Sequence, residues 1–177
     1  MTDEDIVDVK MEFDEVIINQ DGLKPLHCMV QSEHCDVQRE GLSVLRKLSE
    51  LQENASCMLR SGTFAEVQKF LTCGCIQSRI LATQIVANLS KADPSDHRLG
   101  VSIQSLIEAY RTPTKDDVNV LELQRQSSNA LEFLANSSSA HTIFKLRGED
   151  VLSDELRDVI EQRSRLGQKA LSVLYEQ

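Results

Sequence analysis

Apolar residues recur along this chain at the spacing of one helix face. A small residue is followed by apolar positions three, four and seven residues later, which places all four on one stripe of a helix. The first copy of this frame begins at Gly41, and the successive copies are separated by 41, 48 and 40 residues. Its copies are Gly41/Val44/Leu45/Leu48, Ala82/Ile85/Val86/Leu89, Ala130/Phe133/Leu134/Ser137 and Ala170/Val173/Leu174/Gln177. The third and fourth copies are imperfect, because Ser137 and Gln177 are polar at the last position. We expect a repeated long helix whose small residue lets a neighbouring helix approach closely.

A second apolar series runs in step with the first, and each of its members follows a glycine. The glycines are Gly22, Gly62, Gly100 and Gly148, and the patterns are Leu23/Leu26/Val30, Phe64/Val67/Leu71, Ile103/Leu106/Ile107/Tyr110 and Leu152/Leu156/Val159/Ile160. Glycine is the residue expected where a chain needs positive φ at a helix end. Each unit is therefore predicted to hold a glycine corner, a short helix and a longer helix. A further short helix fits at 53–60, 94–99 and 140–147.

These units resemble armadillo repeats. "VANLS" (86–90) and "LANSS" (134–138) resemble the end of the family's last helix, and "DGLKPL" (21–26) resembles its opening with one extra residue. HEAT repeats are the close competitor, and the glycine corners and the asparagines favour armadillo. The resemblance implies an all-α, right-handed superhelical solenoid whose third helices line a concave groove. The predicted units span residues 21–60, 61–99, 100–147 and 148–177, and they must stack because one unit cannot bury its apolar stripe alone.

Asn88 and Asn136 recur at equivalent places, where each is predicted to point away from the core. In peptide-binding members of the family, groove asparagines bond an extended peptide backbone, as an amide can both donate and accept. Local hydrogen bonding at a helix end, or shared ancestry, explains the recurrence equally well. The predicted partner-binding groove consists of Ser43, Lys47, Gln84, Asn88, Glu132 and Asn136.

Family members that bind nuclear-import signals pair such an asparagine with a tryptophan one turn earlier. The matching positions here include Ser43, Gln84 and Glu132, and the chain has no tryptophan. Nuclear-signal binding is therefore not predicted. The groove is basic near Lys47 and acidic near Glu132, so it suits a peptide or helix of mixed charge.

Composition and charge narrow the functional classes. The chain has 177 residues with 7 Gly and 3 Pro, which favours helices. Its net charge of −9 argues against a nucleic-acid or anionic-membrane surface. No apolar run reaches the roughly 20 residues of a membrane span, and the N-terminus lacks a signal-peptide pattern. Five cysteines without disulfide-like spacing suit a reducing compartment, so we expect the cytoplasm or the nucleus.

Three segments depart from the repeat. Residues 1–20, here called the leader, hold seven acids against Lys10, with Ile6, Val9, Phe13, Val16 and Ile17 at near-helical spacing. We favour a capping helix there; the alternative is an acidic segment that occupies the groove or binds a basic partner. Residues 111–122 predict an exposed loop in which Thr112 and Thr114 are candidate phosphorylation sites. The chain ends inside a repeat-like helix, which suggests further repeats, self-association or a covering partner.

Candidate chemistry is sparse. His27-Cys28 and His34-Cys35 are adjacent pairs whose side chains diverge on a helix, so a zinc site is not predicted. Cys73-Gly74-Cys75 lacks C-x-x-C spacing, and no phosphate loop or nucleophile motif is present. We therefore predict a non-enzymatic interaction scaffold that needs no metal or cofactor. The alternative is an exchange factor for a heat-shock chaperone or small GTPase, and a metal-dependent enzyme comes third.

Overall fold

The computed structural model describes residues 22–113 and 117–135. These residues form seven α-helices and no strand, so the all-α prediction is confirmed. The helices are α1 (Leu23–Val30), α2 (Cys35–Leu48), α3 (Gln52–Arg60), α4 (Thr63–Val67), α5 (Ile76–Ala92), α6 (Ile103–Tyr110) and α7 (Val118–Ala135). Short 3-10 segments follow α4 at Gln68–Phe70 and precede α6 at His97–Ser102. Helix α3 and the segment at His97–Ser102 lie close to the short helices predicted at 53–60 and 94–99, whereas the segment at Gln68–Phe70 was not predicted.

The core follows the predicted stripes. Leu23, Leu26 and Val30 of α1 are buried, and Ala82, Ile85, Val86 and Leu89 of α5 are each 0% exposed. Burying one such aliphatic side chain stabilises the fold by about 1.5–3 kcal/mol. The repeated frame predicted that Val44 is buried, and this is wrong. Val44 is 37% exposed, because no described helix covers that side of α2.

Helix α5 packs against both α2 and α7, and the three helices run parallel. Along α5 and α7, Gln77 bonds Asn119 near both helix starts, and Gln84 bonds Glu122 further along. The end of α5 bonds the C-cap of α2, since Asn88 donates to Ser49. Long helices separated by some forty residues of chain therefore lie side by side in one direction.

Gly41 lies where α1 and α2 approach most closely. A Cβ added there would sit 3.0 Å from the Cβ of Met29 and 3.3 Å from the backbone nitrogen of Val30. These distances are shorter than ordinary van der Waals contacts, so even a β-carbon at position 41 would push against α1. The prediction that the small residue permits close helix approach is confirmed at this position.

The glycine corners are only partly confirmed. Gly62 has φ +82° and joins α3 to α4, as predicted. Gly22 has φ −62°, and Gly100 lies inside a 3-10 segment without positive φ, so the prediction is wrong for both. Gly22 is the N-cap of α1 and has right-handed backbone angles, and the segment around Gly100 continues into α6, so neither glycine supplies a positive φ. Gly148 lies outside the described residues.

The predicted loop at 111–122 is shorter than expected. Helix α6 ends at Tyr110 and α7 already begins at Val118. The amide of Gln124 donates to the carbonyl oxygen of Thr112 at 2.8 Å, which ties the joint to α7. The hydroxyl of Thr112 donates to the carbonyl oxygen of Glu108, and Thr114 lies outside the described residues. The leader, the unit at 148–177 and the helix predicted at 140–147 also lie outside them.

Candidate functional site

The predicted groove residues lie on the three parallel helices. Ser43 and Lys47 are on α2, Gln84 and Asn88 on α5, and Glu132 on α7. Ser43, Gln84 and Asn88 are half-buried, whereas Lys47 and Glu132 are exposed. Asn136 lies outside the described residues. Because α5 contacts both α2 and α7, the five described residues share one row of helices.

Helix α5 supplies the middle of this row. Most of its surface is buried, but a line of partly exposed side chains runs along it at helical spacing: Gln77, Leu81, Gln84, Asn88 and Lys91. Residues at these spacings lie on one face of a helix. The stripe of the opposite phase carries Ala82, Ile85, Val86 and Leu89 into the core. The sequence pattern therefore sets which side of α5 reaches solvent.

Side-chain amides on this line bond the two neighbouring helices. We call the three bonds the amide ladder; they run from Gln77 Nε2 to Asn119 Oδ1, from Gln84 Nε2 to Glu122 Oε1 and from Asn88 Nδ2 to Ser49 Oγ, at 2.8, 3.1 and 2.9 Å. Sequence reasoning found Gln84 and Asn88 but missed Gln77, Asn119, Glu122 and Ser49. The seven-residue spacing of Gln77 and Gln84 could have indicated a shared face. Nothing in the sequence gave the partner on the adjacent helix.

The bond to Ser49 fixes the orientation of the Asn88 amide. Ser49 is 2% exposed, and its single hydroxyl proton is donated to the carbonyl oxygen of Arg46 at 2.7 Å. Ser49 must therefore accept from Asn88, which places the NH2 of the amide against α2. The predicted orientation of Asn88 away from the core is thus only partly correct, because the side chain lies at the boundary between α2 and α5.

A polar cleft of about 240 Å³ adjoins Asn88. It lies where α2 and α5 end, and its lining residues are Ser49, Glu50, Gln52, Asn88, Lys91 and Ala92. Glu50 is ion-paired with Arg46, whereas Lys91 is exposed and has no ion-pair partner among the described residues. The cleft offers an amide, a carboxylate and an ammonium group to a ligand. Such groups suit hydrogen bonding to peptide backbone or polar side chains.

Glu122 is the most strongly perturbed ionisable group in the row. Its pKa falls from 4.5 to about 2, chiefly because the Arg125 side chain donates to its carboxylate, with Gln126 and Gln84 as further donors. Burial opposes this shift to a smaller extent. The carboxylate stays ionised at neutral pH and accepts bonds from α5 and from its own helix.

Acidification should weaken the fold through Glu122. A lowered pKa in the folded state contributes stability that is complete above the unfolded pKa, and this contribution disappears as pH falls from about 4.5 towards 2. Solvent screens the pair, since Arg125 is 64% exposed, so we expect wild type to lose about 1 kcal/mol more than Glu122→Gln over this range. Urea unfolding of both proteins at pH 5, 4, 3 and 2 measures the difference. If the free energies of unfolding of the two proteins fell equally between pH 5 and pH 2, the predicted role of Glu122 would be wrong.

The two thiols at the start of α5 differ in environment. Cys75 is exposed at the N-cap, where the nearby backbone N–H and hydroxyl of Ser78 lower its pKa. Cys73 is half-buried, and burial raises its pKa, while its thiol donates to the carbonyl oxygen of Cys75 at 3.4 Å. The sequence showed only that these two cysteines lack the C-x-x-C spacing of redox proteins. The structure distinguishes them.

Cys75 should therefore react with iodoacetamide at pH 7 several-fold faster than Cys73, because the thiolate is the nucleophile. Tryptic digestion after timed alkylation, with fragment spectra that place the adduct on either residue, measures the two rates. Ser78→Ala should slow Cys75 while leaving the exposed Cys28 unchanged. Equal rates at Cys73 and Cys75 would mean that the start of α5 does not lower the pKa of the Cys75 thiol.

The histidine–cysteine pairs form no metal site in the described part of the chain. No group of three or more His, Cys, Asp or Glu side chains is arranged there to hold a metal ion. His27 is instead hydrogen-bonded to the Thr63 hydroxyl at 2.9 Å, which links α1 to α4. Cys28 and Cys35 are exposed free thiols.

Comparison with known proteins supports the fold alone. No protein-family model matches the chain, and neither does any curated protein. Among solved structures, the chain is similar to a crystal structure of an engineered protein from the Northeast Structural Genomics Consortium, with a TM-score of 0.63 and 19% identity. The match covers 85% of this chain but only 65% of the engineered one, so the chain spans less than two thirds of that protein. Within the described ranges, no helix is both long and apolar enough to cross a bilayer.

Proposed function

We propose that this chain is a non-enzymatic scaffold that binds an extended peptide along the row of α2, α5 and α7. The observation that carries the proposal is the amide ladder, because it places oriented polar side chains along the partly exposed line of α5. An extended peptide has backbone donors and acceptors at regular intervals, and side-chain amides can satisfy both kinds.

An armadillo-type arrangement is part of the proposal. The order α3, α4, α5 is repeated by the 3-10 segment at His97–Ser102, α6 and α7, and α1 and α2 match the last two helices of this series. The three long helices are parallel neighbours. The armadillo resemblance implies that stacked units of this kind form a right-handed superhelix in which the long helices line the concave side.

The ladder leaves hydrogen-bonding capacity unused. Asn88 and Gln84 each donate one amide N–H to a neighbouring helix. Within the described ranges, the carbonyl oxygen and the second N–H of each amide have no hydrogen-bond partner. Because these side chains are already held in place, a peptide would not have to order them. Preorganisation of this kind lowers the entropic cost of binding.

The charges favour a partner of mixed sign. Lys47 and Lys91 present ammonium groups on α2 and α5, whereas Glu132 presents a carboxylate on α7. A peptide with acidic residues towards α2 and a basic residue towards α7 would complement this distribution. All five cysteines are free, which supports placing the protein in the cytoplasm or nucleus.

Peptide selection tests the groove directly. A displayed library of random peptides would be selected on the full chain, and the dissociation constant of the best peptide measured by calorimetry. We expect Gln84→Ala and Asn88→Ala each to weaken binding about tenfold, which corresponds to roughly 1.4 kcal/mol. Gln104→Ala is the matched control, because Gln104 is exposed on α6 and also makes one side-chain bond, to Glu108.

The outcome is decisive for the location of the site. Unchanged affinity in both groove variants, with folding verified by circular dichroism, would remove the row from the binding surface. A loss at Gln104→Ala equal to that at Asn88→Ala would place recognition outside the row as well.

A further inference from the structure

We propose that the leader, residues 1–20, covers a stripe of α2 made of Val37, Glu40, Val44 and Lys47. We call this stripe the α2 end face. The inference concerns contacts within the chain and does not depend on peptide binding at the groove.

All four residues of the end face are exposed, although the two positions of α5 that match its valines are buried. Val37 and Val44 are each 37% exposed, and Glu40 and Lys47 are also exposed. These four residues follow one another at intervals of three, four and three, so they share one side of α2. An apolar pair flanked by charges on one helix side is typical of a surface that packs against another helix.

The equivalence of α2 and α5 shows what this side does elsewhere in the fold. With a shift of 41 residues, Val44 corresponds to Ile85, which is 0% exposed, and Val37 corresponds to Ser78, which is 5% exposed. Lys47 corresponds to Asn88, whose side chain bonds the C-cap of α2. At three of the four matching positions, α5 is thus buried or bonded to α2, whereas α2 leaves all four of its own positions exposed in the described structure.

The leader has the residues that such a cover needs. Ile6, Val9, Phe13 and Val16 repeat the intervals of three, four and three, so a helical leader would present an apolar stripe matched to Val37 and Val44. Its seven acids complement Lys47, and its single lysine, Lys10, complements Glu40.

Chain connectivity favours the leader over a second copy. The leader directly precedes α1, which packs against α2, so its effective concentration at the end face is on the order of millimolar. Two copies of a chain with net charge −9 repel one another. Because Lys47 belongs both to the end face and to the predicted groove, a bound leader would also set the limit of the groove on α2.

Zero-length cross-linking of the full chain tests the contact. A carbodiimide joins an amine only to a carboxylate that it touches, so we expect a cross-link between Lys47 and an acid within residues 1–20. Lys91 is the matched control, since it is an exposed lysine on α5, and should form no cross-link to the leader. A mixture of isotope-labelled and unlabelled protein separates links within one molecule from links between two.

A second cross-linking experiment tests the apolar part of the α2 end face. A photoreactive phenylalanine derivative at position 44 should capture residues 1–20 of the same molecule, whereas the same probe in place of Leu121, which is 51% exposed on α7, should not. Leader cross-links within one molecule at positions 44 and 47, and at neither control, support the proposal. Links only between molecules would assign the face to a second copy and overturn it, and so would the absence of leader links from both positions.

Discussion

Replacing Gly41 with valine is expected to lower the free energy of unfolding by about 3 kcal/mol. The Cβ would meet the Cβ of Met29 at 3.0 Å, the Cγ2 of Val30 at 3.1 Å and the Val30 backbone nitrogen at 3.3 Å. A Cβ and a backbone nitrogen cannot rotate away, so α1 and α2 must separate, and overpacking of this kind costs about 1–3 kcal/mol. The two γ-methyl groups add to the clash. The better helix propensity of valine, worth less than about 1 kcal/mol, offsets only part of this cost.

Urea unfolding followed by circular dichroism measures the change. Gly74→Val is the matched control, because a Cβ at Gly74 would have no atom within 4 Å and its φ is not positive. We expect that variant to stay within about 0.5 kcal/mol of wild type, as exposed substitutions usually do. If Gly41→Val proved as stable as Gly74→Val, the close packing of α1 on α2 would be wrong.

Truncating Ile85 to alanine should cost about 4 kcal/mol. Ile85 is 0% exposed, and α5 packs against α2, α3, α4 and α7, so the surrounding helices can collapse only partly into the space left behind. Large-to-small changes at such sites cost about 2–5 kcal/mol, through lost transfer energy and the residual cavity.

Leu121→Ala is the comparison for Ile85→Ala, because Leu121 is 51% exposed on α7 and should lose less than about 1 kcal/mol. Both variants would be unfolded in urea under the same conditions, so that their midpoints and slopes can be compared. A cost at Ile85 as small as that at Leu121 would show that α5 is not the centre of the core.

Helical periodicity predicted the elements and much of the core, because spacing alone decides which side of a helix is apolar. It succeeded fully on α5, which has neighbours on both sides, and failed at Val44, since burial there depends on what lies beyond α2. The glycine rule held at Gly62, whose left-handed backbone joins α3 to α4, and failed at Gly22 and Gly100, whose φ is not positive.

The candidate site was less predictable than the fold. Gln84 and Asn88 follow from the phase of one helix, and the structure does place both on the partly exposed line of α5. Their partners Glu122 and Ser49 depend on the register between helices, which separate stretches of sequence do not specify. The NH2 group of the Asn88 amide faces α2, because the Ser49 hydroxyl accepts its hydrogen bond.

The parallel direction of α2, α5 and α7 gives the row an electrical polarity. Each α-helix carries about half a positive charge at its N-terminus and half a negative charge at its C-terminus, and parallel helices add these fields whereas antiparallel ones cancel them. The edge near Cys35, Ile76 and Val118 is therefore positive, and the edge near Leu48 and Ala92 is negative. The proposed peptide would cross the row from α2 to α7, so this field would act on its side chains, and basic side chains would gain by lying towards the Leu48 and Ala92 edge.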